Sequence, residues 1–144
     1  MREVAGDILE LGLGNGRTYD HLRLLFPARA IYVCERTLAA HPDCIPPPER
    51  LWLGDMRQTL PQMRDRFAGR IALAHLDPGT GEAAASRALA LALGPLITPL
   101  LAAGGVLVSE PPLALEAFCP LALPDGVAPG RYHLYRRVSR PDRS

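Results

Sequence analysis

Apolar residues fall along this chain in two alternating rhythms. Short, nearly continuous runs rich in β-branched and large aliphatic residues occur at 8–11 (ILEL), 30–35 (AIYVCE), 50–54 (RLWLG), 70–78 (RIALAHLDP) and 106–110 (VLVSE). Their length and their bounding Gly, Pro and acidic residues predict strands. Between them, apolar positions recur at three- and four-residue spacing. This predicts a helix over about 18–26, closed by Pro27, and a second from about Thr59 and Pro61 to Ala68. A long Ala/Leu helix opens at Glu82 and is interrupted at Gly94-Pro95. The connection after the second strand carries Pro42 and Pro46 to Pro48, leaving room for only a turn or two of helix near 37–41. Strand and helix in alternation predict a mostly parallel sheet with helices on both faces. The last two apolar runs, 118–123 and 132–138, flank DGVAPG and read as an antiparallel hairpin.

The junction of the first strand and first helix carries the densest signal. Glu10 leads into Gly12, Gly14 and Gly16 at alternate positions, with Asn15 between the last two. Glycine is required where φ is positive or where another group comes closer than a Cβ permits. The N-terminus of the following helix presents unpaired N–H groups, which favour an anionic ligand. Dinucleotide-binding loops read G-x-G-x-x-G, but here the position of the third glycine is Arg17. Glu10 is also poorly placed for a pyrophosphate and well suited to a cation.

This E-x-G-x-G-x-G pattern resembles the first motif of the class I S-adenosyl-L-methionine (SAM) dependent methyltransferases. LELGLGNGRTYDHLR in particular is similar to a group of small bacterial methyltransferase-like proteins of uncharacterised function. The resemblance covers nearly the whole chain. It implies a Rossmann-like, seven-stranded, mostly parallel α/β sheet with a reversed edge hairpin, and SAM as cofactor at the carboxyl ends of strands one to four. Glu10, Gly12, Gly14, Asn15 and Gly16 would form the cofactor loop. Glu35, with Arg36 beside it, stands about twenty residues past that loop at the end of strand two, where doubly wound folds meet a ribose; the competing reading is a solvated strand-end charge. Asp55 and Met56 match the adenine-reading pair at the end of strand three. Asp55 as a helix N-cap is the alternative, less favoured because Thr59 and Pro61 look like a separate helix start.

Asp77, at the end of strand four, corresponds to the position beside the reactive methyl. His75 shares its face, so these two are the candidate catalytic groups. The motif continues DPGT rather than D-P-P-[YFW], lacking the aromatic that stacks on a flipped base, which argues against a nucleic-acid base methylase. His75 in a strand also has a purely structural reading.

Composition narrows the rest. The 144 residues suit one domain, 1–144, with a formal net charge of +1 that implies no bulk attraction to nucleic acid or membrane. All sixteen basic residues are arginine, a composition associated with GC-rich bacterial genomes. Cys34, Cys44 and Cys119 form no CxxC pair, so neither a disulfide framework nor a zinc site is expected and a reduced cytoplasm is the expected setting. His41 and Cys44 lack further ligands, so no metal is expected. No export signal is visible at the start. Residues 88–109 are uncharged and long enough to span a membrane, but their Gly and Pro punctuation reads as a buried α/β unit. Arg136, Arg137, Arg140 and Arg143 read as a basic tail.

The function expected is methyl transfer from SAM to a small-molecule acceptor. A non-catalytic SAM-binding or partner-binding domain is the alternative, and a nicotinamide-dependent oxidoreductase the third reading. Only seven residues precede the first strand, whereas many class I enzymes carry helices there that roof the cofactor. An N-terminal helical extension is therefore expected to be missing, leaving Leu13 and Tyr19 partly exposed. A homodimer or a longer N-terminal segment would then cover the crevice.

Overall fold

The computed structural model describes residues 4–13, 16–36, 40, 42–77, 82–128 and 130–138. Seven strands are present: β1 (Asp7–Leu11), β2 (Ile31–Glu35), β3 (Leu51–Leu53), β4 (Ile71–Leu76), β5 (Leu101–Ser109), β6 (Phe118–Leu121) and β7 (His133–Arg137). They form one sheet in the order β3-β2-β1-β4-β5-β7-β6. β1 to β5 run parallel, and β7 lies antiparallel between β5 and β6. The strand order reverses between β1 and β4, which sets the crevice for a ligand at their carboxyl ends. The mostly parallel sheet and its reversed hairpin are as expected.

Alternation along the strands divides the core between two faces. Leu9 and Leu11 of β1, Ala74 and Leu76 of β4 and Leu107 of β5 join one buried cluster with α2 (Met56–Phe67) and α3 (Ala83–Ile97). α2 buries Met56, Thr59, Leu60, Met63 and Phe67, one stripe at helical spacing. Phe67 stands edge-on to Tyr32 with ring centroids 4.5 Å apart. Each such aromatic or aliphatic side chain, fully buried, contributes about 1.5–3 kcal/mol. The other face carries a smaller cluster, in which Tyr19 and Leu22 of α1 (Arg17–Leu25) cover Ile8, Ile31 and Val33.

Three local expectations are corrected. α2 begins at Met56, not near Thr59, because the Asp55 side chain accepts from the Arg57 N–H at 2.9 Å and caps the helix there. Pro61 therefore lies inside the helix. α3 also runs unbroken through Gly94-Pro95. Gly94 serves packing: a Cβ there would come within 2.7 Å of Leu115 Cδ1. Thr98 Oγ1 donates to the Gly94 carbonyl at 2.8 Å near the point where Pro95 has no N–H to offer. β5 starts five residues before Val106, and Gly104-Gly105 form an irregularity within the strand, where the register moves from Ile71↔Leu101 to Leu73↔Val106.

The stretch Ala83–Leu100 is long and apolar enough to cross a membrane by length and composition alone. Here it is the β4-to-β5 crossover, with Ala90, Leu93, Ile97 and Leu100 fully buried in the core it shares with α2. Arg136 and Arg137 belong to β7 rather than to a tail, and the Arg137 guanidinium donates to the Leu101 carbonyl. Arg140 and Arg143 lie outside the described residues, as does most of the 37–41 segment.

Candidate functional site

Sheet hydrogen bonding continues one residue past the strand ends and lines up the carboxyl edge. Gly12 N–H donates to Cys34 O at 2.9 Å, Gly54 N–H to Glu35 O at 3.0 Å, Asp77 N–H to Leu11 O at 3.1 Å and Glu110 N–H to Leu76 O at 3.2 Å. One edge thus presents Gly12, Glu35, Asp55, Asp77 and Glu110, each from a different strand. Short-range sequence pattern placed them at strand ends. The parallel ladder makes them neighbours.

The glycine loop is fitted chiefly to its own chain. Gly12 has φ 98, and a Cβ there would collide with the Asp77 carbonyl oxygen, so the loop rests directly on the end of β4. Gly16 has φ 85 and caps α1 through its backbone; a Cβ on it would come within 2.5 Å of Cys44 Cβ. The turn at Pro42–Cys44 is held there by Arg23, which hydrogen-bonds Asp20 on its own helix and the Asp43 carbonyl at 3.1 Å. Gly14 and Asn15 lie outside the described residues. Leu13 and Tyr19 are each only 4% exposed, against the expectation of a partly open apolar patch. They pack with Leu22 and Val33 and with Ala40 of the following loop.

Glu35 secures the same loop from β2. Its Oε2 accepts from Leu13 N–H at 2.7 Å and its Oε1 from Arg36 N–H at 2.8 Å. Met56 occupies the first position of α2, where the backbone N–H has no intrahelical acceptor, while its side chain is buried in the core. The Asp55 carboxylate next to it is engaged as the cap of α2.

Glu10 and His75 form a buried pair. They are register partners on β1 and β4, with Glu10 Oε1 2.6 Å from His75 Nδ1. Glu10 is 1% exposed, and its Oε2 is buried without a hydrogen-bond partner among the described residues. Burial pushes the Glu10 carboxyl above its ordinary range, and the hydrogen bond and charge of His75 only partly offset that. Burial pulls His75 down, but the hydrogen bond and charge of Glu10, helped by Asp77 and Glu110, outweigh it and carry His75 above its ordinary value. Each group therefore holds its proton to higher pH than it would in water. With Glu10 on Nδ1, the other ring nitrogen is left for a further partner.

Asp77 has a neighbour that sequence reasoning missed. Glu110, from the end of β5, lines the same cleft as Asp77, and interaction with the Asp77 side chain, with burial and the Asp77 charge, raises its carboxyl above the ordinary range. The signal was present, since Glu110 ends its strand as Glu35 ends β2. Beyond this pair opens a cleft of about 790 Å³, whose walls include Arg87 of α3, Arg131 and His133. His133 Nδ1 lies 3.2 Å from the Glu110 carbonyl. Arg87 and Arg131 were not singled out from sequence, because nothing in their local pattern sets them apart from fourteen other arginines.

The chain is similar to proteins of known class. Residues 1–137 match the profile of a family described as S-adenosyl-L-methionine methyltransferase. The crystal structure of an S-adenosyl-L-methionine methyltransferase from Silicibacter pomeroyi DSS-3 superposes with a TM-score of 0.89 at 46% identity, covering 93% of this chain and 82% of that one. The antibiotic-resistance methyltransferase Kmr (TM-score 0.61, 16% identity, 94% and 88% covered) shares the fold. So does human methyltransferase-like protein 13 in complex with S-adenosylhomocysteine (TM-score 0.58, 14% identity, 97% and 74% covered). No curated protein is significantly similar in sequence.

Proposed function

The chain belongs to the S-adenosyl-L-methionine methyltransferase family, and we propose that it passes the methyl group to a small-molecule acceptor beside Asp77. The observation that supports this best is the contact of Gly12 with the Asp77 backbone, which joins the cofactor loop to the end of β4. The residues present suit the cofactor. A buried carboxylate oxygen without a partner on Glu10 favours a cation nearby, and the N-terminus of α1 favours a carboxylate. When bound, S-adenosyl-L-methionine supplies an electrophilic methyl group on a sulfonium.

In this reading Gly12 to Gly16, with Gly14 and Asn15 among them, cradle the amino-acid end of the cofactor. Glu35 and Arg36 face the ribose, and Asp55 with the Met56 N–H reads the adenine. Asp77 faces the acceptor. For a hydroxyl acceptor, the base would be Asp77 or His75, the latter fixed in tautomer and direction by Glu10 on one nitrogen. Much of the catalytic effect would come from alignment of the reacting atoms, so few side chains need touch them. Cys34, Cys44 and Cys119 are unpaired thiols, which together with the arginine-only basic composition supports a bacterial, cytoplasmic setting.

Calorimetric titration with S-adenosyl-L-methionine, S-adenosylhomocysteine and NADH tests the reading. The first two are expected to bind and NADH to give no heat. NADH binding more tightly than S-adenosyl-L-methionine would overturn it.

A further inference from the structure

The cleft beyond Asp77 has walls of both signs. Asp77 and Glu110 both line it, from the ends of neighbouring parallel strands, and their mutual repulsion, seen in the raised Glu110 carboxyl, favours a cation between them. Arg87 and Arg131 line the same cleft and make no ion pair among the described residues. Among the described residues no group of three potential ligands could hold a metal ion, so a divalent cation is not the natural partner of the carboxyl pair. An ammonium is. It offers several N–H donors to two acceptors and offsets the repulsion between them. The unpaired guanidinium groups in turn suit a carboxylate or another oxyanion. The volume, about 790 Å³, falls in the range of small-molecule pockets.

We propose that this cleft is the acceptor site and that it selects a small molecule carrying both an amine and an anionic group, the amine on Asp77 and Glu110 and the anion toward Arg87 and Arg131. The proposal rests on the methyl-transfer reading above. The bound ammonium gives up one proton to the Asp77–Glu110 pair, and through it to water in the open cleft. The freed nitrogen lone pair forms the bond to the methyl carbon while the carbon–sulfur pair stays on sulfur. The acceptor then carries one methyl group in place of the lost proton, and the donor becomes a neutral thioether. Methylation of a nitrogen is thereby favoured over that of an unassisted hydroxyl, which would require a stronger base than a carboxyl pair.

Binding, not turnover, provides the test. The full chain, saturated with S-adenosylhomocysteine, is titrated by calorimetry with the straight-chain ω-amino acids from glycine to 6-aminohexanoate, each beside the amine and the carboxylate of the same length. At least one amino acid is expected to bind roughly tenfold or more tightly than both matched single-charge compounds. Arg87→Ala combined with Arg131→Ala should erase its advantage over the amine, and Glu110→Gln should reduce its advantage over the carboxylate. Failure of every amino acid to outbind its analogues, or an advantage untouched by these substitutions, overturns the proposal. S-adenosylhomocysteine affinity measured on the same samples reports separately on the methyl-transfer reading. If the unsubstituted protein binds no S-adenosylhomocysteine, that reading fails, and the charge-pair preference is then read from the same titrations repeated without it.

Discussion

Glu10 and His75 face one another across the β1–β4 register, with a carboxylate oxygen 2.6 Å from Nδ1 and the second carboxylate oxygen buried and unpaired. A half-satisfied buried carboxylate is costly by itself. Here it fixes the direction of His75, two residues before Asp77 at the end of the same strand. Replacing Glu10 with Gln keeps a hydrogen-bond acceptor but removes the charge, so the His75 pKa is expected to fall below its present raised position. NMR titration of the His75 ring protons reads this directly, and an unchanged midpoint would show that Glu10 does not govern the ring.

The same pair sets a pH dependence of stability. Both groups have folded-state pKa values raised above their ordinary values of 4.5 and 6.5, so both contribute stability at low pH. Glu10's share is lost as pH rises from about 4.5 through its folded value, and that of His75 as pH rises from about 6.5 through its own. Glu10→Gln abolishes the first effect and, by removing the charge that raises His75, weakens the second. The stability cost of Glu10→Gln should therefore be greatest below about pH 4.5 and shrink as pH rises toward about 9. Urea midpoints at several pH values check it, a constant difference being the contrary result.

Gly12→Ala should be poorly tolerated, because the new methyl meets the Asp77 carbonyl at a φ of 98. Gly126 provides the comparison, with φ 87 and nothing within 4 Å of a notional Cβ. Backbone strain of about 1–3 kcal/mol is common to both, so the excess for Gly12 isolates the collision. A further loss of about 1–3 kcal/mol is expected from overpacking, lowering Tm by about 2–4 °C for each kcal/mol. Equal melting temperatures for the two variants would show that the loop moves aside without cost.

Glu35 has a structural task as well as its proposed one. Glu35→Ala leaves Leu13 N–H without its 2.7 Å partner and should reduce S-adenosyl-L-methionine affinity roughly ten- to hundredfold, about 1.5–3 kcal/mol. Glu35→Gln keeps an acceptor for Leu13, so it should restore the melting temperature more fully than the affinity. If both properties recover together, Glu35 acts only by holding the loop.

Asp55 separates in a similar way. Asp55→Ala should cost about 0.5–2 kcal/mol of stability through the lost cap of α2, whereas Asp55→Asn retains most of it. If the carboxylate also reads adenine, Asp55→Asn should still weaken S-adenosyl-L-methionine by about 1 kcal/mol in a calorimetric titration. Affinity unchanged in both variants would leave Asp55 as a helix cap alone.

What the sequence by itself determined is local or nearly so. Strand runs ended by Glu35, Asp55 and Asp77, the glycine loop after Glu10 and the reversed hairpin were all legible, because period, turn chemistry and strand ends are short-range properties. Helix starts and stops were read less well. Gly94-Pro95 looks like a break until Leu115, distant in sequence, is seen to occupy the space of a Cβ, and Asp55 outranks Thr59 as a helix start because its carboxylate meets Arg57 N–H. Only the tertiary structure decided that Glu10 belongs to His75, that Gly12 and Gly16 yield space to Asp77 and Cys44, and that Glu110 stands against Asp77. These partners lie on different strands or loops, brought together by parallel crossovers whose register no local pattern records. The same distance explains Leu13 and Tyr19, whose burial depends on α1 and Ala40 packing against the sheet.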